Sequence, residues 1–241
     1  MKVLFWLLVF LRLVANEAIY GVMITGHDPF RIPFARLAIE SFLEQTYTNK
    51  TLLIVNHGTT SLGPFQTDSI IEICAPQDTI LGALRNIALD YLPENCLWVQ
   101  WDDDDWRHPK TIEAQYHHLI SNHADLCFLK NKIQYIFTLN CAWEDKGTVY
   151  GSIMARNSIS VRYREVEKSE DFHFLREFGR LHKTVSWNNP PYYYLRFIHG
   201  HNTWDATHFK LSRRIQNEWN INEEAKLYLS STLLKYHFWR P

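Results

Sequence analysis

Residues 97–109 read LWVQWDDDDWRHP: an apolar run, four consecutive carboxylates between two tryptophans, and a proline. Four adjacent negative charges repel one another, so a folded chain keeps them where solvent, a cation or a phosphate-bound metal relieves the repulsion. The run before them is short and uninterrupted, which suits a strand buried on both faces of a parallel sheet. The acidic segment then leaves the sheet edge at Asp102. Alternate residues of an extended segment point the same way. That pattern directs Asp102 and Asp104 at one hard cation and leaves Asp103 and Asp105 to face away or accept hydrogen bonds. Mg²⁺ or Mn²⁺ takes oxygen ligands, commonly one or two carboxylates completed by substrate phosphates. The bland alternative is a solvated loop whose charge favours the next helix N-terminus; the place at a strand end favours the metal.

Upstream, the β-branched AIYGVMIT is followed by the turn-rich GHDPFRIP and by FARLAIESFLEQ, where Phe34, Leu37, Ala38, Ser41 and Phe42 recur at helical spacing. TLLIVNHG is again a buried-strand run, so strand, helix and strand make a βαβ crossover. SIIEICAP, ILGALRNIALDYL and CLWVQW repeat the alternation, and HPKTIEAQYHHLISN reads as the helix after the acidic loop. Parallel sheets of this kind bind ligands beyond the carboxyl ends of their strands. Three loops meet on that edge, carrying His27 and Asp28, Asn56 and His57, and Asp102 to Asp105. From about Asp125 the texture changes to alternating runs, DLCFLKNKIQYIFTL and GTVYGSIMARN, then a helix at SEDFHFLREFGRL and a strand at YYYLRFIHG. The expected fold class is α/β: a Rossmann-like mixed sheet flanked by helices, parallel in its N-terminal half with an antiparallel C-terminal extension.

The 241 residues suffice for one well-buried domain, and no Gly/Ser- or Pro-rich linker divides them. The expected organisation is a hydrophobic segment at 1–18 and a single domain at 19–241, with a parallel half at 19–124 and an antiparallel half with a C-terminal helix at 125–241. A net charge of -1 offers no broad basic surface and speaks against nucleic acid as a partner. Cys74, Cys96, Cys127 and Cys141 form no CxxC pair and lie in apolar stretches, which suits buried reduced thiols and a reducing, cytoplasmic setting. The opening MKVLFWLLVFLRLVANEA is broken by Arg12 and is shorter than a spanning helix requires. Its readings are a signal peptide, a peripheral membrane anchor through residues 1–14, or a helix packed on the domain; the last two are preferred.

Three further constellations carry chemistry. LGALRNIAL puts Arg85 and Asn86 on a helix between two strands; arginine's fork of donors suits phosphate or a base edge, although the motif alone reads as a surface ion pair. EKSEDFHF carries Glu170 and Asp171 at a helix start with Ser169 as N-cap; one carboxylate suits a general base, capping being the bland alternative. LRFIHGHNTWDATHF gathers His199, His201 and His208 without zinc-type partners, so these histidines contact phosphate or add one ligand to a carboxylate-bound metal.

In order along the chain, SFLEQTY, GALRN, LWVQWDDDDWRHP, SEDFHFL and LRFIHGHNTW resemble the motifs of family 2 glycosyltransferases of the GT-A fold, over about Ile19 to Phe209. The resemblance implies a metal-dependent, inverting enzyme that moves a sugar from a nucleoside diphosphate sugar, foremost a UDP-sugar, to a hydroxyl of a glycan or other acceptor. It implies Mn²⁺ or Mg²⁺ on Asp102 and Asp104 with His199 over the metal or diphosphate, Asp171 as base with Glu170 beside it, and donor contacts from Arg85, Asp102 and Asp103. Thr25 and Asp28 are compatible with a base and ribose pocket. VNHGTT departs from the family's acidic pair, so Asn56 and His57 stand where carboxylates would read the base, and Asn56 keeps an amide able to pair with uracil. A nucleotidyltransferase is disfavoured by the lack of a lysine-ending phosphate loop. The rival from another class is a non-catalytic nucleotide-sugar or carbohydrate-binding domain of the same fold.

Overall fold

Four strands form the parallel half of one sheet: β1 (Ile19–Thr25), β2 (Lys50–Asn56), β3 (Ile70–Cys74) and β4 (Leu97–Gln100). The computed structural model describes residues 17–26, 28–202 and 218–238. The remaining strands are β5 (Asp105–Arg107), β6 (Leu126–Ile136), β7 (Cys141–Arg156), β8 (Thr184–Trp187), β9 (Tyr194–Ile198) and β10 (Trp219–Asn220). The sheet order is β3-β2-β1-β4-β7-β6-β9-β5, with β8 on β6 and β10 on β7. The antiparallel extension is built on one long hairpin, the 11-residue β6 against the 16-residue β7, where the sequence pattern suggests shorter runs.

Side-chain alternation divides the core. Met23, Leu52, Ile54, Leu97 and Val99 face helices α1 (Ile32–Leu43) and α3 (Thr111–Ser121). Their neighbours Val22, Ile24, Leu53, Val55 and Trp98 face α2 (Leu81–Tyr91) and α4 (Glu170–Leu181) on the other side. Both faces are thus apolar, which is why these strands read as continuous hydrophobic runs. A last helix, α5 (Glu223–Leu233), covers the β6–β9 region with Ala225 and Leu229.

The chain goes from β1 to β2 and β3 on one side and returns to β4 on the other, so the order reverses between β1 and β4. Such a switch point leaves a crevice at the carboxyl ends of the two strands. Thr25 ends β1, and Asp102 lies two residues past the end of β4. None of the four cysteines is in a disulfide; Cys127 and Cys141 are buried as expected, whereas Cys74 at the end of β3 is exposed. No helix among the described residues is long and apolar enough to cross a membrane. Residues 1–14, His27 and His208 lie outside the described residues.

Candidate active site

The acidic run does not continue as an extended segment. Asp103 and Asp104 form a turn, and Asp105 begins β5, which pairs antiparallel with β9. The alternation expected of Asp102 and Asp104 therefore does not apply, and each carboxylate has its own partners. Asp102 Oδ1 accepts from Arg85 Nη2 (3.2 Å) and Gln100 Nε2 (3.1 Å), and its side chain is 24% exposed. Asp103 accepts from Thr25 Oγ1 (2.8 Å) and from Arg31 Nη2. Asp104 Oδ2 lies 3.0 Å from the same Arg31 nitrogen and accepts from Asn202 Nδ2 (3.1 Å). Asp105 accepts from Tyr194 Oη (2.6 Å) and the Phe197 amide (3.3 Å).

The repulsion posed by four carboxylates is relieved by this division. Burial opposes ionisation of Asp104, but Arg31 and His199 outweigh it and hold its pKa well below the ordinary range. Asp103 is pushed up by burial despite Arg31. Asp105, buried and facing the charges of Asp104 and Asp102, is pushed up to about 8. Arg31 was not legible as a partner: a lone arginine in a turn has no spacing that points to carboxylates seventy residues away.

The resemblance motifs resolve into specific contacts. In SFLEQTY, Ser41 Oγ accepts from the Arg107 amide (3.0 Å), while Gln45 donates to His108 O (2.9 Å) and accepts from the Ile112 amide (3.0 Å). Helix α1 thereby clamps the exit of the acidic loop. In GALRN, a Cβ on Gly82 would collide with the Arg164 carbonyl, Leu84 enters the core, and Asn86 exchanges two hydrogen bonds with the Tyr163 backbone. Arg85 is no surface ion pair: it is buried, with Nε 2.9 Å from Glu170 Oε1 and Nη2 on Asp102. Glu170 and Asp102 outweigh burial and push the Arg85 pKa further up.

Glu170 and Asp171 open α4, which is anchored by its apolar stripe. Phe174 packs against Trp98 (5.5 Å between ring centroids) and Tyr163 (4.3 Å), and Phe178 follows one turn later. Deleting a buried ring of this size costs about 3–5 kcal/mol, so the helix start is held firmly at the cleft. Ser169 occupies the cap position but makes no capping hydrogen bond, because its φ of 64° turns it into the left-handed region. Asp171 is pushed up to about 6 by burial and by the neighbouring Glu170.

Asn56 and His199 have their own partners in the structure. Asn56 is buried; its amide donates to Thr60 O (2.9 Å) and Glu72 Oε1 (2.7 Å), and its Oδ1 accepts from the Gly58 amide (2.8 Å). It shapes the loop after β2 and has no amide proton left for a base; His57 borders the cleft instead. The His199 ring is fully buried, stacked on Phe34 (4.2 Å), with Nε2 3.4 Å from Asp104 Oδ2. Asp28 caps the turn Pro29–Arg31 through the Phe30 amide (2.9 Å) and pairs with His201 Nδ1 (2.9 Å). Gly26 and Gly58 touch where the β1 and β2 loops meet; a Cβ on either would strike the other's backbone.

Asp102, Asp103 and Asp104 share a small cleft of 110 Å³ with Arg85, Glu170 and Asp171. Thr25, Asp28 and His57 border an adjoining one of 650 Å³. No three His, Cys, Asp or Glu side chains converge as a ready-made metal cluster among the described residues. Asp102 and Asp104 still fit the mode in which one or two carboxylates hold a hard cation completed by phosphate oxygens. Gly151 lies against Asp102: a Cβ there would collide with Asp102 Oδ2 and lie 2.6 Å from Tyr194 Oη. Gly151→Ala is thus expected to displace Asp102 and weaken nucleotide binding at least tenfold while the chain stays folded, as read by calorimetry and circular dichroism. Unchanged affinity would show that the position of Asp102 is immaterial.

The sheet order and the cleft at its switch point define the GT-A class of glycosyltransferase folds. The chain superposes on S. aureus TarS 1-349 with a TM-score of 0.57 and 13% identity, covering 75% of this chain and 60% of that one. Against TarS 1-349 in complex with UDP-GlcNAc the TM-score is 0.60 at 11% identity, covering 91% and 66%. Mannosyltransferase PcManGT from Pyrobaculum calidifontis, in complex with GDP-Man and Mn²⁺, gives 0.55 at 10% identity, covering 77% and 57%. In sequence the chain is similar to glycosyltransferase GlyA of Streptococcus pneumoniae serotype 4, 22% identical over 160 residues. That match covers 62% of this chain and 22% of GlyA, so the chain spans about a fifth of that relative's length. No protein-family model matches the chain.

Proposed function

We propose that this chain is a metal-dependent, inverting glycosyltransferase that moves a sugar from a nucleoside diphosphate sugar, foremost a UDP-sugar, to a hydroxyl of a glycan or other acceptor. The observation that carries the reading is the convergence of the acidic loop with Glu170 and Asp171 in one cleft at the sheet's switch point. A pure binding domain has no need of a carboxyl whose pKa is pushed up to about 6 beside it.

In this reading the Asp171 carboxylate takes the proton of the acceptor hydroxyl as that oxygen attacks the anomeric carbon. The bond from that carbon to the diphosphate oxygen breaks with its electron pair, and the configuration inverts. A pKa of about 6 leaves Asp171 largely ionised at neutral pH yet more basic than an ordinary carboxylate. Glu170, paired with Arg85, adds the charge that raises it. Asp102 and Asp104 would hold Mn²⁺ or Mg²⁺, with His199 bracing Asp104; such a cation neutralises charge on the departing nucleoside diphosphate. Thr25, Asp28 and His57 border the larger cleft, whose volume suits a nucleoside. The complexes of TarS with UDP-GlcNAc and of PcManGT with GDP-Man make uracil and guanine the first bases to try.

The test is a thermal-shift and calorimetric screen of UDP-, GDP- and dTDP-sugars, each with Mn²⁺, Mg²⁺ or EDTA. One nucleotide at a hundred times its Kd is expected to add about 2.7 kcal/mol, a rise of roughly 5–10 °C in Tm for a chain of this size, and to lose most of it in EDTA. A folded protein that binds none of them overturns the reading.

A further inference from the structure

We infer that Arg31 and Lys168 bracket the diphosphate of the donor, an assignment that rests on the function proposed above. The cleft has two lobes, and five residues border both: Ile24, Leu81, Asp103, Arg31 and Lys168. Two of these are apolar, one is an acid and two are cations. The smaller lobe, 110 Å³, holds Asp171; the larger, 650 Å³, has room for a base and ribose. A nucleoside diphosphate sugar whose reacting carbon must lie near Asp171 puts its sugar in the smaller lobe and its nucleoside in the larger. Its diphosphate then crosses the neck, where the two cations are.

Arg31 keeps a donor there. Its Nη2 serves both Asp103 and Asp104, and its Nη1 donates one hydrogen to the His201 carbonyl at 3.3 Å and has a second. A guanidinium carries five N–H groups in a rigid fork that matches phosphate oxygens. The side chain is also held in place before any ligand arrives. It ends the short turn Pro29–Arg31, which Asp28 caps, and Asp28 in turn grips His201. Donors fixed in advance at a site of developing negative charge need little reorganisation.

Lys168 borders both lobes as Arg31 does, from a different element of the chain. The left-handed φ at Ser169, a conformation strained for a non-glycine residue, bends the chain just before α4. As a result Lys168, Ser169, Glu170 and Asp171 all border the smaller lobe in succession. The same backbone strain that seats the carboxylates therefore also seats the lysine. The other two cations of that lobe do not border the neck: Arg85 is committed to Glu170 and Asp102, and Arg196 borders the smaller lobe alone.

A ladder of nucleoside, monophosphate and diphosphate separates contacts to phosphate from contacts to the base. Uridine, UMP and UDP, and guanosine, GMP and GDP, are titrated by calorimetry and ligand-observed NMR, in EDTA and in Mn²⁺, against wild type, Lys168→Ala, Arg31→Lys and Arg31→Gln. For the base that wild type binds, Lys168→Ala and Arg31→Gln are each expected to raise the Kd of the diphosphate about tenfold or more, the loss of a charge-assisted hydrogen bond. The nucleoside should stay within about twofold of wild type. Arg31→Lys, which keeps the charge and loses the fork, should fall between. Arg31→Gln leaves two buried carboxylates without their counter-charge, so its Tm is measured alongside; if it does not fold, the exposed Lys168 and the charge-conserving Arg31→Lys decide. Unchanged diphosphate affinity in either of these variants, or equal losses for nucleoside and diphosphate, overturns the assignment. A folded wild type that binds neither UDP nor GDP overturns the proposed function and this inference with it, whereas wild-type binding with an unaltered ladder overturns the inference alone.

Discussion

Asp171→Asn is expected to bind donor within about twofold of wild type, to lower transfer by a factor of roughly 10²–10⁴, and to melt at a higher temperature at pH 7. The first two effects follow from its proposed role: an amide keeps the shape of the site and cannot accept the acceptor's proton. The third follows from electrostatics. Burial and the adjacent Glu170 raise the folded-state pKa of Asp171 from 3.8 to about 6. A carboxyl with a raised folded pKa contributes stability that is fully present below its unfolded pKa and lost as pH rises through the folded one. Wild type is therefore expected to lose stability between about pH 4 and pH 6, and Asp171→Asn to be spared that loss. Two pKa units correspond to at most about 3 kcal/mol. The side chain is partly exposed, which reduces the expected gain to about 1–2 kcal/mol, a few degrees in Tm. Wild-type transfer should rise with pH through about 6 as the base ionises, and single-turnover assays from pH 4.5 to 8 would show it. Melting curves of both proteins across the same range test the stability. A variant that transfers at the wild-type rate removes Asp171 from the mechanism; a variant that melts lower at pH 7 means that the carboxylate is stabilised where the geometry has it strained.

The strands and helices that carry the site were legible because each has a period. Buried parallel strands read as unbroken apolar runs, and the Phe174 and Phe178 pair of α4 reads as one helical face. What has no period was hidden. The three-residue β5 begins at the last residue of the acidic run, and its pairing with β9 depends on residues ninety positions away. The expectation that Asp102 and Asp104 face one way failed for the same reason: a turn at Asp103 and Asp104, stabilised by Arg31, replaced the extended segment. Asn56 stood at the right strand end, but its side chain is used by Glu72, an acid on β3 that alternation alone reads as a surface residue. The glycines 26, 58, 82 and 151 are signals of close approach that became interpretable only when the neighbour each would strike was known. Four consecutive carboxylates predict a cation, but nothing in their spacing says that Arg31 supplies part of that charge.

Arg85→Met is expected to be the most damaging single substitution in the cleft. Its guanidinium joins three elements that are distant in sequence: α2, the acidic loop through Asp102, and the start of α4 through Glu170. It also lies 5.6 Å from the centre of the Tyr163 ring, which closes it off from solvent. Removing one member of a buried ionic group leaves the others uncompensated and costs about 3–5 kcal/mol. Against a total stability of about 5–15 kcal/mol, that lowers Tm by roughly 10 °C or more and reduces the folded population. Donor binding should weaken as well, because Asp102 loses its charged partner and keeps only the Gln100 and Tyr194 hydrogen bonds among the described residues. The two effects separate in a double variant. Arg85→Met with Glu170→Gln removes one of the stranded charges, so it should recover a kilocalorie or more of stability relative to Arg85→Met alone, about 1–2 kcal/mol, and recover no transfer. Chemical denaturation of the two single variants and the double variant gives the coupling energy directly. A coupling near zero would mean that solvent reaches Glu170 and screens it, and the buried arrangement at the head of α4 would then be wrong. Recovery of transfer along with stability would mean that Arg85 serves the fold alone, and that the acidic loop finds its catalytic position without it.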